Sequence, residues 1–218
     1  MKTSIALRLL TSLALAPALL NCGGGDGGSS AAGEDEAMTS AAKALAGNFS
    51  SSACETVDAT TYQLRHYHFG AGGSTATWDR YSDPQCTAGS KLMTIVISGS
   101  AKVNGLSGHV MGAANITVNM SKKVVTPTAA GVAVLTDTCA QYDWAADTAQ
   151  EVPSGCGALF QQTDDCTAEY DLMKLTTSGL KFGDRSSPLC SQDTRPTQLT
   201  KWAVVLDPHG YVPPAAGP

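Results

Sequence analysis

From residue 62 onward, apolar and polar positions alternate with the two-residue period of β-strands, and glycine, proline or asparagine breaks the alternation at short intervals. Tyr62–Phe69 places Tyr62, Leu64, His66 and His68 on one face and Arg65, Tyr67 and Phe69 on the other. The glycine-rich turn Gly70–Ser74 and the return segment Thr75–Tyr81 complete a hairpin. Asp83-Pro84 then ends it, because proline fixes φ and supplies no ladder donor. Lys91–Ser98, Ser107–Ala113 and Asn115–Val125 predict three further strands, separated by turns at Gly99, Asn104-Gly105 and Gly112. In the last of these, Ile116, Val118 and Met120 alternate with Asn115, Thr117, Asn119 and Ser121, as in a sheet with one wet face.

The period changes at Thr126-Pro127, where threonine as cap and proline at the first position predict a short helix over Thr128–Thr136. Gln141–Cys166 is loop-rich and carries Trp144, Pro153, Gly155 and two cysteines, which predicts a disulfide-held excursion over one end of the sheet. Strands resume at Glu169–Thr176, Leu180–Arg185 and Gln198–Asp207, and Pro208 stops the last. Short strands joined by tight turns predict an all-β fold, an antiparallel β-barrel or half-barrel with one short helix and disulfide-held loops. A barrel of this kind can hold one small ligand.

Composition bounds the ends of the chain. Residues 1–21 have a basic start (Lys2, Arg8) and an apolar core from Leu9 to Leu20, the pattern of a secretory signal. Leu19-Leu20-Asn21-Cys22 resembles the bacterial lipoprotein box, with Asn21 in place of the usual small residue. On that reading Cys22 is the lipidation site and the protein is an exported lipoprotein of a bacterial envelope, at the outer membrane on its periplasmic or surface face. The alternative is an ordinary secretory signal with an incidental cysteine. Residues 22–44 read as a Gly/Ser/Ala/acidic tether within which Met38–Leu45 can form a short helix, residues 45–208 as a single domain, and residues 209–218 as a disordered Pro/Ala/Gly tail.

Charge and cysteine content narrow the partners. The net charge is −5, and loss of Lys2 and Arg8 with a cleaved leader takes 14 basic residues to 12 against 19 acidic, net −7. An acidic chain lacks the footprint for nucleic acid. Setting Cys22 aside leaves six cysteines, Cys54, Cys86, Cys139, Cys156, Cys166 and Cys190, which in an exported domain predict three disulfides. Fifteen connectivities are open. Cys54 with Cys86, across the first hairpin, is the first choice, followed by Cys166 with Cys190, and Cys139 with Cys156 then remains.

Candidate chemistry is sparse. His66 and His68 share a strand face, but no third ligand stands at a fixed spacing and no Cys-x-x-Cys is present, so neither a metal nor a cofactor is expected. Gly-x-Ser-x-Gly, His-Glu-x-x-His, a P-loop and a dinucleotide-binding glycine turn are all absent from the sequence. Asp79, Asp83, Glu169 and Asp171 are the carboxylates that folding could pair. The expectation is a non-catalytic protein.

The order of several short motifs adds a resemblance. Leu45-x-Gly47-x-Phe49 before Cys54-Glu55, the Arg65 strand ending in Phe69, and Trp78 leading to Tyr81-Ser82-Asp83-Pro84-x-Cys86 come first. They are followed by Gly108–Gly112, Val125-Thr126-Pro127 with Leu135, Cys139 with Trp144, Gly155-Cys156, Glu169-Tyr170-Asp171-Leu172, and Leu180-x-Phe182-Gly183-x-Arg185. Together they resemble the domain family of the adenomatosis polyposis coli down-regulated protein, a membrane-tethered Wnt inhibitor of animals. Phe49 stands where the family has Trp, no Arg follows Glu55 two places on, and one domain is present where the animal proteins have two.

The resemblance implies a β-barrel with a hydrophobic pocket for lipid. It does not carry over the signalling role. Pocket candidates are the apolar strand positions Leu64, Met93, Ile95, Ile97, Val110, Ile116, Val118, Met120, Leu172 and Val204, each of which could equally be plain core. Phe49 and Arg185 are expected to meet as a cation over a ring where the barrel closes, an arrangement resembling lipocalins. The expected partners are therefore a lipid or other apolar small molecule in the barrel and a membrane through the N-terminal anchor. The alternative is a surface module that binds a protein or glycan through its disulfide-held loops, with a filled barrel.

Overall fold

The computed structural model describes residues 30–154, 156 and 166–208. The leader, Cys22, the first part of the tether, most of the Cys156–Cys166 loop and the tail lie outside these residues. Ten strands form one antiparallel sheet: β1 (Gly47–Ser51), β2 (Glu55–Thr56), β3 (Tyr62–Gly70), β4 (Gly73–Tyr81), β5 (Lys91–Leu106), β6 (Ala114–Pro127), β7 (Gln150–Glu151), β8 (Ala168–Thr176), β9 (Gly179–Gly183) and β10 (Leu199–Leu206). The order runs β1-β10-β9-β8-β6-β5-β4-β3, and β1 pairs with both β10 and β3, so eight strands close into a barrel. Closure removes the unpaired edges that an open sheet would present. Among the described residues two α-helices accompany it, α1 (Ser30–Leu45), longer than the Met38–Leu45 segment expected, and α2 (Ala129–Thr138).

The two barrel ends are covered unequally. Ala41, Ala44 and Leu45 of α1 pack on the end where Phe49, Phe69, Ala114, Ile116, Leu180, Phe182 and Val204 gather. Gly47, at φ +126°, lets the chain turn from α1 into β1. The opposite end is half covered by Leu135 of α2 and the Cys139–Cys156 loop, which pack on Met93, Ile95 and Val125. The disulfides Cys54–Cys86, Cys139–Cys156 and Cys166–Cys190 all lie at this second end, with Cα atoms 5.6, 4.9 and 5.1 Å apart. They link the segments that leave the strands there, and structural disulfides of this number belong to an oxidising, extracytoplasmic compartment. Among the described residues no helix is long and apolar enough to cross a membrane.

Several local expectations are revised. Helix α1 begins at Ser30, so the second half of the expected tether is helical. Ser107–Ala113 is a turn: the Ser107 hydroxyl accepts from the backbone N–H groups of His109 and Val110, both at 3.1 Å, and draws them out of any ladder. Gly99 and Asn104-Gly105 are not turns but register shifts inside a 16-residue β5. At Gly99 the strands approach so closely that a Cβ would collide with the Asn119 carbonyl. Thr126 and Pro127 remain in β6, paired with Thr94 and Met93, and the cap falls two residues later, where Thr128 Oγ1 accepts from Gly131 N at 3.2 Å. Gly131 inside α2, unfavourable for a helix, is required because a Cβ would strike the Leu92 carbonyl.

Candidate functional site

The two-residue period of β3 puts Arg65, Tyr67 and Phe69 inside and leaves Leu64, His66 and His68 outside. Side chains paired across neighbouring strands share a face, so Trp78 and Arg80 of β4, opposite Ile95 and Met93, also point inward. On β6 and β8 the same rule turns Ile116, Val118, Glu169 and Asp171 to the interior. The interior is therefore layered along the barrel axis. Its covered end is apolar, its middle is charged and its other end is open.

At the covered end Tyr67 and Phe182 lie with ring centroids 4.9 Å apart, and Phe49 and Phe69 complete the group. Above these rings, a chamber lined by Ile97, Ile116, Val118, Met120 and Phe182 encloses only about 40 Å³. That volume holds a few waters at most.

Trp78, Glu169 and Arg185 line both this chamber and a much larger cleft in the open end, and so form the neck between them. The cleft measures about 820 Å³, and Glu55, Arg65, Arg80, Leu199 and Trp202 contribute to its walls. A volume of this size is that of a small-molecule site.

The neck is built on an ionic triad. Arg185 Nη2 donates to Glu169 Oε2 at 2.9 Å and to Asp171 Oδ2 at 3.2 Å. Burial alone would lower the Arg185 pKa, but the two carboxylates outweigh it and raise it. Glu169, whose burial works to raise it, is held low by Arg185 and Lys123. Asp171 is raised, since burial outweighs Arg185 and the N–H groups of Leu172 and Gly183. Burial also pushes Lys123 down to about 8, against the pull of Glu169. Arg185 keeps 37% of its side chain accessible because it faces the cleft.

The side wall holds a second pair. Arg65 donates to both Glu55 oxygens, at 2.7 and 3.0 Å, and to Tyr67 Oη at 3.2 Å. Arg80 differs from these two arginines. It is half-buried, has no carboxylate within ion-pair distance among the described residues, and its guanidinium carbon lies 5.7 Å from the Trp78 ring. Burial, partly offset at a distance by Asp58, pushes it down to about 10, so it is charged at neutral pH. The Arg185 guanidinium lies 5.6 Å from the same indole. Trp78 Nε1 and Glu169 Oε1 are buried without a hydrogen-bond partner among the described residues.

Of the predicted pocket residues, Ile97, Ile116, Val118 and Met120 line the small chamber. Met93 and Ile95 are buried under α2 and Val204 at the covered end, without lining it. Leu172 is buried but joins neither core group. Leu64 is on the outer face, because the inward set of β3 is the one containing Arg65, and Val110 sits in the 107–113 turn. Arg185 meets Trp78, not Phe49. His66 Nδ1 contacts Ser50 Oγ at 2.9 Å and His68 Nδ1 contacts Asn48 Oδ1 at 2.8 Å, on the outer face. Asp79 is also outside, bound to Lys91 Nζ and Thr94 Oγ1, both at 2.7 Å.

The mouth residues Arg65, Arg80, Trp78 and Glu169, and Asp171 behind them in the inner chamber, were not among the predicted site residues. Their signal in the sequence was the pair of acids two apart, Glu169 and Asp171, beside the apolar run Leu172-Met173, and arginines at the inward positions of β3 and β4. No protein-family model matches this chain, and no curated protein matches it in sequence.

Proposed function

We propose that this protein is a non-catalytic, extracytoplasmic binding module that takes a small amphiphilic ligand in the mouth of its barrel. The observation that carries the reading is the division of the interior into a packed apolar end with about 40 Å³ of space and an open cleft of about 820 Å³. A lipid chain threaded into the barrel would have to displace the Tyr67–Phe69–Phe182 core, whereas the mouth is already open. The ligand then keeps its polar part on the arginines and rests its apolar part on Trp78, Trp202 and Leu199.

The same proposal includes the lipoprotein anchor at Cys22 and membership in the family resembled by the ordered motifs. Its support is that Glu55, Arg65, Trp78, Glu169 and Arg185, scattered along that motif order, meet at the mouth. Native mass spectrometry of the exported, disulfide-intact protein tests the reading. A co-purifying small amphiphile, or binding of an environment-sensitive dye that the purified ligand displaces, is the expected result. A protein that carries nothing and binds no apolar dye would refute it.

A further inference from the structure

The charges around the mouth do not balance one by one. Glu55 is committed to Arg65, Glu169 and Asp171 to Arg185, and the Asp58 carboxylate accepts from the backbone N–H groups of Thr60 and Thr61, both at 2.8 Å. Asp184 accepts from the Gln198 amide at 3.2 Å. Arg80 is left with a guanidinium that faces the cleft, no carboxylate or hydrogen bond among the described residues, and an indole as its contact.

A second guanidinium, that of Arg185, approaches the same indole. Two cations beside one ring repel each other, and burial strengthens the repulsion. On that ring, Trp78 Nε1 is a buried donor with no acceptor among the described residues. A buried, unmet donor destabilises the fold. Such a cost is offset when a bound group satisfies the donor.

We propose that the mouth is an oxyanion receptor, in which a carboxylate-class head group of the ligand bridges the Arg80 guanidinium and Trp78 Nε1. This rests on the reading of the mouth as a ligand site and names the chemistry that the site selects. An oxyanion has lone pairs for both donors, and the planar fork of arginine matches it in geometry as well as charge. The triad below sets the depth of the head group. Glu169 and Asp171 already neutralise Arg185, and the orphan oxygen of Glu169 repels an anion, so the head stays at the level of Arg80. The body of the ligand then lies outward along Leu199 and Trp202, which also carries Lys201 Nζ 4.7 Å from its ring.

The test uses two dyes with the same aromatic frame, 8-anilinonaphthalene-1-sulfonate, which carries an oxyanion, and neutral N-phenyl-1-naphthylamine. Both are titrated by fluorescence into the full disulfide-bonded protein at low salt. The sulfonate should bind more tightly than the neutral dye. Arg80→Gln should weaken the sulfonate about tenfold and leave the neutral dye within about twofold, the size expected for one charged hydrogen bond. Trp78→Phe, which keeps a ring and removes the N–H, should weaken the sulfonate several-fold, and Arg80→Lys should retain part of its binding.

Arg80→Gln should also melt no lower than the native chain, since it removes an uncompensated charge, and a lower melting point would mark Arg80 as structural and overturn the assignment. Equal binding of the two dyes by the native protein, or sulfonate binding indifferent to Arg80→Gln, would sink the oxyanion site while leaving a ligand-binding mouth. If neither dye binds, both the receptor and the ligand-binding mouth fall.

Discussion

The Glu55–Arg65 pair offers a direct test of how the barrel wall is held. Both side chains are almost wholly enclosed, at 2% and 6% accessibility, and two hydrogen bonds join them. Removing one partner of such a pair leaves a buried charge and typically costs about 3–5 kcal/mol.

The two single variants should differ. In Arg65→Met, Glu55 keeps donors in Ser51 Oγ at 2.6 Å and Gln63 Nε2 at 3.2 Å, so the loss should fall near about 3 kcal/mol, the lower end of that range. In Glu55→Gln, Arg65 keeps its charge with only neutral acceptors, the new amide oxygen and the Tyr67 hydroxyl, and the loss should be nearer about 4 kcal/mol. The double variant should cost far less than their sum, with a coupling of about 2 kcal/mol or more, because no charge is then stranded.

Urea unfolding of the four proteins with disulfides intact, followed by tryptophan fluorescence, measures the cycle. Additive losses would refute the reasoning, since they would mean that each side chain is solvated on its own.

Gly99→Ala should lower the melting temperature by about 5–10 °C in calorimetry, because its Cβ must push the Asn119 carbonyl out of the β5–β6 ladder at the bulge. Asp83, which lies on the surface, is held down to about 2 by Ser90, Thr87 and the Gln85 N–H, below its ordinary 3.8. Its folded-state value is depressed, so its contribution is present above about pH 4 and lost as pH falls toward 2. Asp83→Asn should therefore flatten the stability profile in that window in an acid titration followed by circular dichroism, and an unchanged slope would count against the loop as the acid-sensitive element. Cys22→Ser should move the protein from the membrane fraction to the aqueous one on cell fractionation, and a variant that stays with the membrane would argue against an acylated Cys22.

The strand that ends in Trp78 to Tyr81, with its Asp83-Pro84 stop, was visible because two-residue alternation and proline chemistry act locally. So were the paired Tyr62–Tyr81 hairpin and the six-cysteine framework, since each depends on short-range pattern or on parity. The turn at Ser107–Ala113 was read as a strand because Val110 and Met111 look apolar, while the decisive bonds come from one serine hydroxyl to its own neighbours. Leu64 was placed on the ligand side for a similar reason. Alternation gives two faces and does not say which is inside, and here the charged-aromatic face of β3 won because Arg65 finds Glu55 there.

The chain's local chemistry by itself determined an all-β fold, most of its longer strands, the signal-like leader and the need for three disulfides. The closure of β1 on both β3 and β10, and with it the assembly of Trp78, Arg80, Glu169 and Arg185 around one mouth, was decided only by tertiary structure. The physical reason is separation. These residues span more than a hundred positions, their charges are balanced through contacts that no spacing encodes, and only barrel closure fills one end with aromatic rings and leaves the other open.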